Sequence, residues 1–163
     1  MTAIQPTFQA TLAEAIVDSS ALICILMGES AAPLFVTALH RTTRLYIGAA
    51  TRAEAWLAAF NAKGTAGAKQ VEALLAALQV ETVAFTQDSL PHFVAGAERH
   101  HHRVDANARL NLGDLFTYAL VKETGLPLFF QGTDFASTSI DNAMAMLGHA
   151  YSEKGVPQPI SDG

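Results

Sequence analysis

Short apolar runs alternate along this chain with longer stretches whose apolar residues recur every three to four positions, the mark of strands interleaved with amphipathic helices. Ala15-Ile-Val17 ends at Asp18 and reads as a first strand. Ser19 or Ser20 then caps a helix through residue 27, Gly28-Glu-Ser30 breaks it, and Ser30 caps a second helix to about residue 40. Residues 45–48 read as a second strand. Thr51-Arg-Ala-Glu54 has the form of a capping box and opens a helix that stops at Gly64. A further helix over 65–78 places Val71, Leu74, Leu75 and Leu78 on one face. Residues 80–85 alternate as a third strand, 88–101 are helical, and a polar loop leads to Arg109. Asn111-Leu-Gly-Asp114 starts a helix that Gly125 terminates. Residues 128–130 make a fourth strand that enters the turn Gly132-Thr-Asp134.

Strands separated by helical segments predict an α/β fold: a three-layer α/β/α sandwich on a mainly parallel central sheet. No repeat or linker divides the chain. The fourteen residues before the first strand and the stretch 141–163, with a helix over 142–152, read as peripheral extensions.

Composition narrows the class. Of 163 residues, 50% are hydrophobic and 15% charged, against about 25% charged in an ordinary domain, and 30 alanines fill the difference. Cys24, the single cysteine, lies inside an apolar run, so no internal disulfide or thiolate zinc cluster can form. It reads as a small buried hydrophobe in a protein of the reducing cytoplasm. The first fourteen residues lack Lys, Arg and a long apolar core, which argues against a signal peptide. No apolar stretch approaches the ~20 residues of a membrane span. A net charge of −5 argues against a passive nucleic-acid module, whose affinity comes from phosphate contacts. It leaves room for an enzyme whose carboxylates a metal neutralises.

Ligands of an open parallel sheet bind beyond the carboxyl ends of its strands. Four acids map there from four segments: Asp18 after the first strand, Glu54 after the second, Asp114 at the start of the helix before the fourth, and Asp134 after the fourth. Each has a local alternative. Glu54 completes the capping box, Asp114 suits the helix dipole, and Asp134 suits a turn. Asp18 is the exception, because an acid directly after an apolar strand is buried at a cost unless something charged satisfies it. Together the four describe a hard-cation site for Mg²⁺ or Mn²⁺, and such a site suits phosphoryl-transfer chemistry. His100-His101-His102 reads as a solvated helix end, since adjacent helical residues point apart. No GxxxxGK[ST] phosphate loop, GxSxG elbow or nucleophile–base pair is present. A phospho-acceptor role for Asp18 fits poorly: Ser20 stands where such phosphatases need a second Asp, and Lys122 lies within a helix.

In this order the motifs "IVDSSALICILMGE", "AATRAEAW", "RLNLGDLFTYALVKETGLPLFFQGTDF" and "STSI" resemble the PIN-domain ribonucleases, specifically the VapC toxins of bacterial toxin–antitoxin pairs. The resemblance spans residues 15–140. It implies metal-binding acids at Asp18, Glu54, Asp114 and Asp134, with Ser20 orienting Asp18 or a water. It further implies Mg²⁺-dependent cleavage of RNA, a homodimer, and a cognate antitoxin through which alone the protein meets DNA. Arg109 and Arg52 are candidate phosphate contacts, with a surface ion pair the alternative for Arg52. A non-catalytic role as partner of a DNA-binding antitoxin in operator regulation is the second reading. A purely structural partner, however, has no physical reason to keep four acids together.

Overall fold

A computed structural model describes residues 10–101 and 109–159. The start of the N-terminal extension (1–9), most of the polar loop with His102 (102–108) and the tail (160–163) lie outside the described residues. Strand β1 (Leu12–Val17) begins three residues before the predicted start and is followed by α1 (Ser19–Met27), α2 (Ala32–His40) and β2 (Thr42–Gly48). Helix α3 (Ala49–Ala77), β3 (Glu81–Val83), α4 (Leu90–His100), α5 (Leu112–Thr124) and β4 (Leu128–Phe129) complete the expected sequence of elements. Beyond them come α6 (Ala143–Met146) and an antiparallel hairpin of β5 (Ala150–Tyr151) and β6 (Pro157–Gln158).

The central sheet has the order β3-β2-β1-β4, and every pairing is parallel. Successive residues of β1 face opposite ways: Ala15 and Val17 join the core under α1, α2 and α3, while Ile16 joins the core under α5. Two apolar layers around one sheet are the predicted three-layer sandwich. Strand β1 is paired with β2 on one side and with β4 on the other, with Val17 opposite Phe129. The chain steps from β1 outward to β2 and β3 on one side and then crosses back to β4 on the other, so a crevice opens beyond the carboxyl end of β1. Asp18 stands in that position.

Several local expectations change. Ser30 does not cap α2, whose N-cap is Ala31 without a side-chain bond; Pro33 in the first turn starts that helix instead. The predicted stop at Gly64 does hold: Gly64 takes φ 63°, ψ −155°, and α3 is two helical segments joined by a kink at that residue. Gly67 makes the bend compact, because a Cβ there would overlap the Ala59 carbonyl. The stretch after residue 140 is not peripheral. Ala143, Met144 and Leu147 are buried in the core beside Phe129, and the helix read over 142–152 is a single turn followed by the hairpin. Its backbone also covers the outer edge of β4, where the Leu128 amide donates to the Asp141 carbonyl at 2.9 Å. An uncovered edge strand would expose unpaired backbone groups, and this segment supplies partners for them. No helix among the described residues is long and apolar enough to cross a membrane.

Candidate active site

The Asp18 backbone is the last rung of β1, its amide donating to the Phe129 carbonyl at 2.9 Å, and its side chain caps α1. The carboxylate is only 2% exposed. Its Oδ2 accepts from the Ser20 amide at 3.0 Å and from the Ser20 hydroxyl at 2.6 Å. Its Oδ1 accepts from the Thr117 hydroxyl at 2.8 Å. Ser20 Oγ in turn accepts from the Gln131 amide at 3.0 Å, so one serine joins the ends of β1 and β4. Ser20 thus holds one oxygen of Asp18 through both its amide and its hydroxyl.

Thr117 was not singled out from sequence. It lies one helical turn after Asp114 on α5, and that spacing is the signal that places both on the face toward the cleft. It is 1% exposed, and its oxygen lies 2.9 Å from the Thr51 hydroxyl. With the Thr117 proton committed to Asp18, Thr51 is the donor of this pair. The capping box read at Thr51 and Glu54 is therefore absent: α3 starts at Ala49, Thr51 is buried in its first turn, and Glu54 turns elsewhere. Glu54 Oε2 accepts from the Ser19 hydroxyl at 3.3 Å. A Cβ built on Gly113 would stand 2.5 Å from both Glu54 oxygens, so Glu54 lies against the first turn of α5, beside Asp114.

Asp114 is held by a true capping box. The Asn111 amide donates to Asp114 Oδ2 at 2.9 Å, and the Asp114 amide donates to Asn111 Oδ1 at 3.0 Å. Burial pushes the Asp114 carboxyl up to about 7, and the charges of Asp18, Asp134 and Glu54 add to that rise against the lowering effect of the Asn111 amide. Burial also raises Glu54, again with help from Asp18. For Asp134 burial is the main cause of an upward shift, Arg109 opposes it, and Asp18 adds to it. These mutual influences show that the four acids share one electrostatic neighbourhood. Among the described residues none of the four forms a salt bridge with Lys or Arg.

The donor set is all oxygen, four carboxylates with the hydroxyls of Ser19, Ser20 and Thr117, which suits a hard cation and not a soft one. Among the described residues no three Asp, Glu, His or Cys side chains are gathered tightly enough to grip one ion directly. Mg²⁺ tolerates that arrangement, since it keeps several waters and takes one or two carboxylates directly. The residues fit such an ion.

Of the two arginines, Arg109 is exposed and near enough to Asp134 to influence its protonation. Arg52 faces away from the acids: it pairs with Glu72 and donates to the Thr82 hydroxyl at 2.8 Å, the ion-pair alternative. His100 packs its ring against Tyr118, with centroids 5.4 Å apart.

Comparison with known proteins places the fold in a family. The PIN domain family model matches residues 15–140. Ribonuclease VapC42 of Mycobacterium tuberculosis is 37% identical over 128 residues, covering 77% of this chain and 95% of its own. Among solved structures, M. tuberculosis VapC20, described as a sarcin-ricin loop cleaving toxin, superposes with a TM-score of 0.65 at 15% identity over 77% of this chain and 95% of that one. A toxin–antitoxin complex from Klebsiella pneumoniae gives 0.59 at 20% identity, covering 77% and 92%. The two structures share the fold, and the sequence match carries the family: this chain belongs to the PIN-domain family and, within it, to the VapC ribonucleases.

Proposed function

We propose that this protein is the toxin of a toxin–antitoxin pair, an endoribonuclease that hydrolyses RNA phosphodiester bonds with Mg²⁺, or Mn²⁺ in its place. The observation that carries the reading is the buried carboxylate of Asp18, fixed through both oxygens by neutral hydroxyl and amide donors, with Glu54, Asp114 and Asp134 around it and no side-chain cation paired to any of them among the described residues. Such a cluster is held at an electrostatic cost that a bound cation offsets.

Asp18 and Asp114 would hold the ion directly, and Glu54 and Asp134 would act through water or complete a second position. When bound, Mg²⁺ lowers the pKa of water and polarises a phosphoryl oxygen. The protein's own groups do the rest. Ser20 and Thr117 fix both oxygens of Asp18 before substrate arrives, so no reorganisation is needed at the moment of reaction. Asn111 fixes one Asp114 oxygen and leaves the other for the cleft. Ser19 and the first turn of α5 hold Glu54 at the edge of the cluster, where it would act through a water at the ion. Arg109, exposed at the mouth, supplies a contact for an RNA phosphate. Arg52 takes no part, its guanidinium being held by Glu72.

The Klebsiella neighbour is a toxin–antitoxin complex, which supports a cognate antitoxin as the second partner. A homodimer, contact with DNA only through that antitoxin, and a cytoplasmic location complete the reading. The test is incubation of antitoxin-free protein with total RNA and Mg²⁺, beside Asp114→Asn and an EDTA control. Discrete cleavage lost in both controls supports the reading. Intact RNA in the presence of folded, metal-binding protein would favour the operator-regulation role.

A further inference from the structure

The loop that leaves β4 carries Asp134, and three consecutive residues at its start are each tied down by a different partner. The Phe130 carbonyl accepts from the Tyr151 hydroxyl at 2.7 Å. The Gln131 amide donates to Ser20 Oγ at 3.0 Å. The Gly132 amide donates to the Gly155 carbonyl at 2.8 Å. Only the middle tie comes from the residues that the PIN domain model matches; the other two come from the β5–β6 hairpin, beyond residue 140.

The hairpin is built to sit there. Its turn is closed by Ser152 and Gly155, the Gly155 amide donating to the Ser152 carbonyl at 2.9 Å. Gly155 has φ +71°, and a Cβ on it would overlap the Gly132 backbone. No side chain fits between the two strands of chain at that point. Gly132 itself lies beside the acid: a Cβ there would stand 3.9 Å from Asp134 Oδ2. Behind the contact, the Tyr151 ring packs on Phe130 and Phe130 on Phe135, with centroids 5.7 and 5.3 Å apart. A cavity of about 250 Å³ between hairpin and loop separates the remaining residues, so these contacts are local ties and not part of a continuous packed wall.

We propose that Tyr151 and Gly155 are positioning residues for the cleft: the C-terminal hairpin clamps the Phe130–Gly132 backbone and thereby sets where Asp134 stands. Asp18 is tied to the same loop through Ser20, so the hairpin fixes the spacing between the two acids. The proposal rests on the nuclease reading only for its effect on RNA; the clamp itself is a property of the fold.

The experiment uses the full chain in three forms: parent, Tyr151→Phe, which keeps the ring and removes the hydroxyl that holds the Phe130 carbonyl, and Gly155→Ala, which wedges the contact. Amide hydrogen exchange is read first. Faster exchange of residues 131–134 in both variants, with β1 and α5 unchanged, is expected; unchanged exchange in Gly155→Ala overturns the clamp whether or not the protein cuts RNA. Mn²⁺ binding by calorimetry is read second, with a weakening of about 10–100-fold expected for Gly155→Ala. The same substitution placed on Asp134→Asn should add almost nothing further, since both act through one carboxylate. A full additive loss in the double variant would show the hairpin acting on general stability and would overturn the proposal. If the parent binds Mn²⁺ and responds in this way yet leaves RNA intact, the nuclease reading fails and the clamp stands.

Discussion

Replacing Gly113 with alanine separates the stability of the fold from the geometry of the cleft. The new methyl carbon would stand 2.5 Å from both oxygens of Glu54 and 2.6 Å from its Cδ. Ordinary contact requires about 3.5 Å, so the carboxylate has to retreat by roughly 1 Å. Glu54 is long and its head is held only by the 3.3 Å bond from the Ser19 hydroxyl, which makes that retreat inexpensive for the fold. Alanine also lowers the entropy of the unfolded chain, a gain of about 0.4–1 kcal/mol where the backbone conformation suits it, and Gly113 has no positive φ. The melting temperature is therefore expected to stay level or rise slightly. A misplacement of about 1 Å at a reacting group costs on the order of 100-fold in rate. Single-turnover cleavage of RNA by antitoxin-free protein, read beside a thermal melt, measures both effects. Activity within about threefold of the parent at unchanged stability would refute a role for Glu54 at the chemistry.

The metal-free protein should lose stability as pH rises. Asp114 is raised in the folded state from 3.8 to about 7, so the folded chain holds a proton that the unfolded chain has released. That stabilisation is full below about pH 4 and is lost by about pH 7, worth at most ~4 kcal/mol. Urea midpoints across this range should fall, Asp114→Asn should flatten the trend, and Mg²⁺ should restore stability at the alkaline end. Thr117→Val removes the donor to Asp18 Oδ1 and the acceptor for Thr51, so two buried oxygens lose partners at about 1–3 kcal/mol each. A denaturation curve should show the loss, and activity should fall further than stability explains. Arg52→Ala breaks an exposed pair with Glu72 and a bond to the Thr82 hydroxyl, and should change stability by about 1 kcal/mol or less while leaving RNA cleavage at the parent rate.

The sheet and the four acids were legible because short β-branched or aromatic runs, each followed by a polar residue, mark strand ends in a parallel sheet. Val17–Asp18 and Phe130–Gln131 show this in sequence, and the two strand ends are neighbours in space, with Val17 opposite Phe129. Hidden from sequence was what fixes the acids. Thr51 carried a good local explanation as a helix cap, and only the packing of α3 against α5 gives its hydroxyl to Thr117. Gly113 looked like a helix-start residue, and its missing side chain matters solely because Glu54 occupies the space. The stretch after Ile140 misled for a related reason. Pro and Gly suggested a loose end, although Met144 and Leu147 have the apolar character of packing residues and are buried together with Ala143.

The sequence distances spanned by the bonds at Asp18 set the order in which the protein can become dangerous. Asp18 is joined to Thr117 across 99 residues, and Ser20 to the Gln131 amide across 111. During synthesis a domain folds as its segments emerge, and contacts between distant segments close last. A ribosome that has released β1, β2 and α3 has exposed Asp18 and Glu54 with neither of these ties formed. The cleft takes its shape only after β4 has paired beside β1 and the hairpin has followed it out. On the ribonuclease reading, the cutting site is thereby incomplete until β4 and the hairpin have both left the ribosome.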